Sequence, residues 1–166
     1  MKQILIDVKK CVACKSCEIS CAVIHSDSKN LFGAVMQEKK PIQRVFVEAG
    51  QGMSFPLQCR HCEDPKCVQA CMSGAMYVDK DTGLVTNVQE RCVGCWMCVM
   101  MCPFGSITQD RAQKIAVKCD RCVDIDVPSC VTACPTKAIS FSDIDEFSRN
   151  TRKEYLANFL LPEEGK

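Results

Sequence analysis

The sequence has almost no charge imbalance: 21 lysines and arginines stand against 20 aspartates and glutamates in 166 residues. A nucleic-acid binder would show a clear basic excess, so that class has no support. No apolar run approaches the roughly 20 residues that cross a bilayer. The opening MKQILIDVKKC lacks an apolar core of about 7–15 residues and a small-residue cleavage site, so no secretory leader is expected. There is no glycine-rich phosphate loop and no candidate catalytic triad. Low-complexity segments and long linkers are missing as well. The expectation is a cytoplasmic, non-catalytic protein without a membrane span.

Cysteine is what the chain has instead: 16 in 166 residues. With no sign of export, thiols stay reduced, and a dense thiol set points to metal rather than to disulfides. The cysteines form four groups of four with none left over. The first is Cys11, Cys14, Cys17 and Cys21. The second is Cys59, Cys62, Cys67 and Cys71. The third is Cys92, Cys95, Cys98 and Cys102, followed by Pro103. The fourth is Cys119, Cys122, Cys130 and Cys134, followed by Pro135. Structural zinc joins two C-x-x-C pairs across a longer spacer, which is not this pattern. Groups one and three have the C-x2-C-x2-C-x3-C spacing of bacterial two-cluster iron–sulfur proteins. Three closely spaced thiolates wrap one corner of a cubane, and the fourth falls too late to reach it and serves the other cluster. Four such groups predict four [4Fe-4S] clusters. At about −2 per cluster with its thiolates, they would take the chain from +1 to about −7.

The groups are also an internal repeat. Met72-Ser-Gly-Ala-Met76, Pro103-Phe-Gly-Ser-Ile107 and Pro135-Thr-Lys-Ala-Ile139 follow groups two, three and four, and each leads into a strand-like run. Group one departs: Cys21 leads into AVIHSDSKN, a candidate helical turn. Strands are predicted at Ile4–Val8 and Ile42–Val47, with hairpins around Lys80–Gly83 and between Ile107–Gln109 and Lys114–Val117. Residues 31–55 read as the connection between groups one and two. Near the C-terminus, Ser142-x-x-Asp145 resembles a cap. Ile144, Phe147, Thr151, Tyr155, Leu156 and Phe159 recur at helical spacing, and Pro162 would end the helix. That helix packs on its own domain or docks a larger partner. Apolar side chains are too few for an ordinary core, so the clusters must replace it, and the metal-free chain is predicted to be largely unfolded.

Cys59-Arg-His-Cys62-Glu-Asp-Pro-Lys-Cys67, Arg91–Gly105, Lys118–Cys122 and Cys130–Ala138 resemble the motifs of four-cluster ferredoxin-type iron–sulfur electron-transfer subunits. The resemblance covers about residues 3–141. It implies an α+β fold of two ferredoxin-like 2[4Fe-4S] modules, with short hairpins and helices around the clusters. Residues 1–54 and 106–141 would form an outer module, 55–105 an inserted one, and 142–166 a C-terminal helix and tail. It also implies nested ligand sharing. Cys11, Cys14 and Cys17 would hold one cluster with Cys134, and Cys119, Cys122 and Cys130 another with Cys21. Cys59, Cys62 and Cys67 would share one with Cys102, and Cys92, Cys95 and Cys98 one with Cys71. Ala22 and Met72 stand where many relatives have proline, which bears on local geometry rather than on ligation. With all sixteen positions cysteine, no three-iron cluster is implied.

Within that family, Lys10–Val23 most resembles the iron–sulfur partner of anaerobic carbon monoxide dehydrogenase. The implied role is single-electron transfer from that enzyme to a hydrogenase or flavin oxidoreductase. The alternatives are a permanent iron–sulfur subunit of a formate dehydrogenase, hydrogenase or molybdopterin oxidoreductase complex, and a cluster-based redox sensor. Around the ligands, His61 reads as packing or hydrogen bonding beside its loop rather than as a ligand or proton relay. His25 reads as an ordinary histidine and Trp96 as a shield against water or a docking contact. Met97, Met100 and Met101 read as soft filler near sulfur. Lys9, Lys10 and Lys15 form either solvated surface or a landing patch for an acidic partner.

Overall fold

The computed structural model describes residues 2–160. Strand β1 (Gln3–Ile6) leads to a 3-10 turn and helix α1 (Ser16–Ile24), then helix α2 (Leu31–Met36). Strands β2 (Val45–Gly50) and β3 (Met53–Gln58) form a hairpin, followed by helix α3 (Lys66–Gln69). Strands β4 (Met76–Val78) and β5 (Val85–Asn87) precede helix α4 (Met97–Met101). Strands β6 (Ile107–Asp110) and β7 (Ile115–Lys118) precede helix α5 (Ser129–Thr132), strand β8 (Ile139–Ser142) and helix α6 (Ile144–Leu160). The strands make four antiparallel pairs, each a separate two-stranded sheet: β1 with β8, β2 with β3, β4 with β5, and β6 with β7. The β1–β8 register, Gln3 opposite Ser142 through Ile6 opposite Ile139, joins the two ends of the chain.

Such short sheets cannot stand alone. They cover two small cores. In one, Ile4, Val45, Val47 and Ile139 are buried with Cys17, Cys21 and Cys130. In the other, Met76, Ile107 and Ala116 are buried with Cys98. Cysteine is thus a structural fraction of each core. The β6–β7 hairpin packs in the second core, and the β2–β3 hairpin straddles residues 54 and 55.

Two expected strands shift for local reasons. The strand expected at Ile4–Val8 ends at Ile6, because the Asp7 carboxylate accepts the Lys9 N–H and caps a 3-10 turn over Val8–Lys10. The strand expected from Ile42 starts at Val45, because the Arg44 N–H donates to Cys21 Sγ at 3.2 Å instead of entering a ladder. The predicted hairpins around Lys80–Gly83 and residues 110–114 are present. Residues 31–55 are more structured than a connection: they hold α2, β2 and the first half of β3, turned at Gln51 and Gly52 with φ of 52° and 79°. Two positive φ values make the turn type that matches strand twist.

The C-terminal helix forms, but its cap differs from expectation. Asp143, not Ser142, accepts the Asp145 N–H, at 3.0 Å. The helix lies against the body through Lys10, whose ammonium reaches Glu154 at 2.8 Å, and it leaves Tyr155, Leu156 and Phe159 exposed. The expected stop at Pro162 lies outside the described residues.

Candidate metal centres

All four C-x-x-C turns share one backbone device. Their third residue is left-handed: Ala13 at φ 54°, His61 at 48°, Gly94 at 67° and Arg121 at 62°. A left-handed residue between two right-handed or extended ones curls the chain so that successive N–H groups and side chains face one point. Three of the four are not glycine and each carries about 1–2 kcal/mol of strain, which the surrounding site must outweigh. In groups one and three a second left-handed residue, Lys15 or Trp96, starts the helix that presents the third cysteine.

The repeat after the fourth cysteine is equally regular. The N–H groups of Gly74, Gly105 and Lys137 donate to the carbonyls of Cys71, Cys102 and Cys134 at 3.2, 3.2 and 3.3 Å. These residues too are left-handed, with φ of 66°, 60° and 54°, and each tight turn delivers the chain into β4, β6 or β8. Group one departs because Cys21 sits inside α1.

The fold brings cysteines of distant groups close to one another. Cys11, Cys14, Cys17 and Cys134 line one cavity with Val47, Pro56 and Ile139. Cys71, Cys92, Cys95 and Cys98 line another with Met76, Trp96 and Ala116. Cys130 lies within electrostatic reach of Cys119, Cys21, Cys122 and Cys17. Cys62 and Cys67 each lie within reach of Cys59 and Cys102.

The donors fit iron–sulfur chemistry. Burial pushes the Cys17 and Cys98 thiols up to about 11 and Cys119 up to about 12. Burial, then the neighbouring Cys119, Cys21 and Cys122, pushes Cys130 up as well. Thiolates packed this densely in apolar pockets need cations to neutralise them, which bound iron provides. Backbone N–H groups are already aimed at sulfur: Met76 to Cys71 at 3.3 Å, Ala116 to Cys92 at 3.4 Å, Arg121 to Cys119 at 3.3 Å and Ala138 to Cys134 at 3.2 Å. Such outer bonds orient thiolate ligands and tune a cluster's potential.

Residues 51–144, more than half of the chain, match the family model of the 4Fe-4S dicluster domain. The chain belongs to this 4Fe-4S dicluster family. An iron–sulfur protein of Rhodospirillum rubrum is 39% identical over 153 residues, covering 82% of this chain and 80% of that one. The electron transport protein HydN of Escherichia coli strain K12 is 33% identical over 171 residues, covering 90% and 94%. The thiosulfate reductase electron transfer subunit PhsB of Salmonella typhi is 34% identical over 146 residues, covering 84% and 74%. The protein is therefore an iron–sulfur electron-transfer protein with a ferredoxin-type fold. Its sixteen cysteines give it four [4Fe-4S] clusters.

The surroundings of the sulfurs depart in part from the sequence expectations. His25 is not an ordinary histidine. Its Nδ1 lies 2.6 Å from the Cys21 carbonyl and 3.7 Å from Cys21 Sγ, and its Nε2 lies 3.2 Å from the Asp120 carboxylate. Arg44 pairs with the same carboxylate. His61 is packed beside its loop and stays neutral, because burial, then Lys118 and Arg121, push its imidazole down to about 3. Trp96 lines the cavity with Cys92, Cys95 and Cys98, where a water shield is needed. The methionines are not filler: Met100 is 67% exposed, and Met97 and Met101 also face solvent, because α4 spends its buried face on Cys98. Lys10 is committed to Asp7 and Glu154. No helix among the described residues is long and apolar enough to cross a membrane.

Proposed function

We propose that the protein is a conduit for single electrons, with the ligands shared in the nested arrangement and two ferredoxin-like modules, one inserted in the other. The observation that carries this reading is the order of the four sulfur sets. Cys17 adjoins both Cys134 of its own set and Cys130 of the next. Arg121 lies between Cys119 and Cys59, joining the second set to the third. Cys98 lies within reach of Cys92 and Cys71 of its set and of Cys67 from the third. The sets thus follow one another in a line, and each end carries an exposed cysteine, Cys14 or Cys95. Bound [4Fe-4S] clusters supply the one-electron redox couple. The chain's own part is to hold four such sites in series and leave both ends open to partners.

The donor in this reading is carbon monoxide dehydrogenase, the acceptor a hydrogenase or flavin oxidoreductase, and the compartment the reducing cytoplasm. The donor rests on the likeness of Lys10–Val23 to the iron–sulfur partners of that enzyme. The protein itself makes and breaks no bonds with a substrate. A second reading, a subunit held permanently in a larger oxidoreductase, is favoured by the apolar face of α2. Phe32 and Met36 there are 83% and 81% exposed beside Leu31 and Val35, a patch of the kind that marks interaction sites.

The test is anaerobic purification and a visible spectrum with a catalytic amount of carbon monoxide dehydrogenase, before and after adding CO. Bleaching of the broad sulfur-to-iron absorption supports the donor. Bleaching by dithionite but not by CO moves the assignment to another dehydrogenase. A colourless protein that has never met air refutes the conduit reading altogether.

A further inference from the structure

The junction between the second and third sulfur sets holds a buried cation. Lys118 closes β7 and is 5% exposed. Its Nζ donates to the Val85 carbonyl at 2.5 Å and to the Cys119 carbonyl at 2.6 Å. Both acceptors are neutral. A buried ammonium bonded only to carbonyls is costly unless an anion lies nearby. Within its electrostatic reach are sulfurs from two sets, Cys67 of one and Cys119 of the other, and Cys119 also faces the Asp120 carboxylate. Arg121, half-buried, faces Cys119 and Cys59 across the same junction. His61 lies beside both cations. Among the described residues, the two outer sets hold no comparable buried cation; the partly buried Glu18 carboxylate near Cys17 is an anion. The cavities at Cys11 to Cys134 and at Cys71 to Cys98 are lined chiefly by apolar residues, and Lys15 at the rim of the first is exposed.

A loaded site with four thiolates carries about −2, and each reduction adds one more negative charge. A fixed cation stabilises the reduced form more than the oxidised form. It therefore raises the reduction potential of the nearest centres, and it acts little on distant ones.

We propose that Lys118, with Arg121 as a second cation, sets the potential of the two inner [4Fe-4S] centres and makes them the resting place of the transferred electron between the exposed ends. The inference rests on the nested ligand-sharing reading given above. Electron balance is simple: an inner centre takes one electron from the reduced outer centre on one side and passes one electron to the other side.

The test is potentiometric reduction with dithionite followed by electron paramagnetic resonance on the intact protein. Cys14→Ser and Cys95→Ser mark the signals of the two outer centres. Lys118→Met should make reduction of the inner pair roughly tenfold less favourable, about 59 mV lower, for a charge acting over about 10 Å at an effective dielectric near 20. The outer pair should not move. Arg121→Gln should shift the inner pair in the same direction by less, and it decides the matter if Lys118→Met fails to load all its clusters. Unchanged inner potentials in a fully loaded variant overturn the inference, because a merely structural lysine predicts that result. So does an equal shift of all four centres. Iron in the unaltered protein well short of four clusters removes the ligand-sharing reading instead, and the inference falls with it.

Discussion

Gly94→Ala isolates the loop geometry from the ligands themselves. Gly94 is the third residue of Cys92-x-x-Cys95 and has φ of +67°. A Cβ there would stand 2.4 Å from the Lys114 carbonyl oxygen and 3.2 Å from its carbon. The obstruction is backbone, so no side chain can rotate away. Lys114 is the turn of the β6–β7 hairpin, and two residues on, the Ala116 N–H donates to Cys92 Sγ. Relieving the clash pushes the hairpin off the loop and lengthens that bond. Left-handed strain contributes about 1–2 kcal/mol and backbone displacement in a packed site roughly 1–3 kcal/mol, so the total is about 2–5 kcal/mol. The damage falls on the set Cys71, Cys92, Cys95 and Cys98. Two assays read it: iron per chain, which should fall by about a quarter, and the apparent melting temperature at fixed scan rate, which should fall by about 5–15 °C. Ala13→Gly is the control. Ala13 holds the matching position at φ 54° and already carries a Cβ. Removing it relieves strain but frees the unfolded chain, so its effect should stay within about 1 kcal/mol. Gly94→Ala protein with full iron and an unchanged melting temperature would refute the reasoning.

Removing the iron should unfold most of the chain, because cysteines fill both cores; far-ultraviolet circular dichroism of the metal-free protein should show a large loss of ordered signal, and native-like amide protection would contradict it. Asp110→Asn should cost about 1–3 kcal/mol, because the buried carboxylate accepts the Ala112 and Gln113 N–H groups and pairs with Lys39 at 2.7 Å. Burial alone would push that carboxyl up, but Lys39 and the Gln113 N–H outweigh it and hold it below the ordinary value. Its contribution is thus present in full above the unfolded pKa and lost only as pH falls through the lower folded one, so the cost measured by urea unfolding should be equal at pH 6 and pH 8. Lys10→Ala should change stability by no more than about 0.5 kcal/mol in the same assay, since its pair with Glu154 is exposed. Deletion of residues 143–166 should leave the visible spectrum intact, because α6 buries little against the cluster-bearing body.

Much of this was legible because cysteine spacing is short-range chemistry. The thiol groups announced cubane clusters, and the Gly74, Gly105 and Lys137 repeat could be aligned by eye. The hairpins at 76–87 and 107–118 carried their own turn signals. The β2–β3 hairpin did not, since Gln51 in place of asparagine disguised a turn with two positive φ values. Three of the four left-handed C-x-x-C positions were hidden for the same reason: alanine, histidine and arginine have no intrinsic preference for that region, and only the tertiary site holds them there. The ends of β1 and β2 were misplaced by bonds from outside the strand pattern, the Asp7 cap and the Arg44 N–H turned to sulfur.

The least legible features are the polar contacts around the inner sets, and the reason is distance along the chain. His25 and Asp120 are 95 residues apart, and Lys118 and Val85 are 33 apart. The spacing marked Asp120 and Arg121 only as residues between two ligands. Their function follows from what the fold brings opposite them. Lys118 draws a carbonyl of the β4–β5 hairpin to β7, and Ser106 Oγ donates to the Gln58 carbonyl at 3.2 Å beside Cys59, while Asn87 Nδ2 donates to the Ala116 carbonyl at 2.6 Å at the Cys71 to Cys98 cavity. In the proposed arrangement a buried cation lies between the two middle sulfur sets, while the cavities at Cys11 to Cys134 and at Cys71 to Cys98 are lined chiefly by apolar residues. A conduit needs that contrast. Its ends must exchange electrons with partners across a thin protein layer, and its middle must hold charge away from water. A buried cation between two anionic sites is a way to do so without a larger core than 166 residues can build.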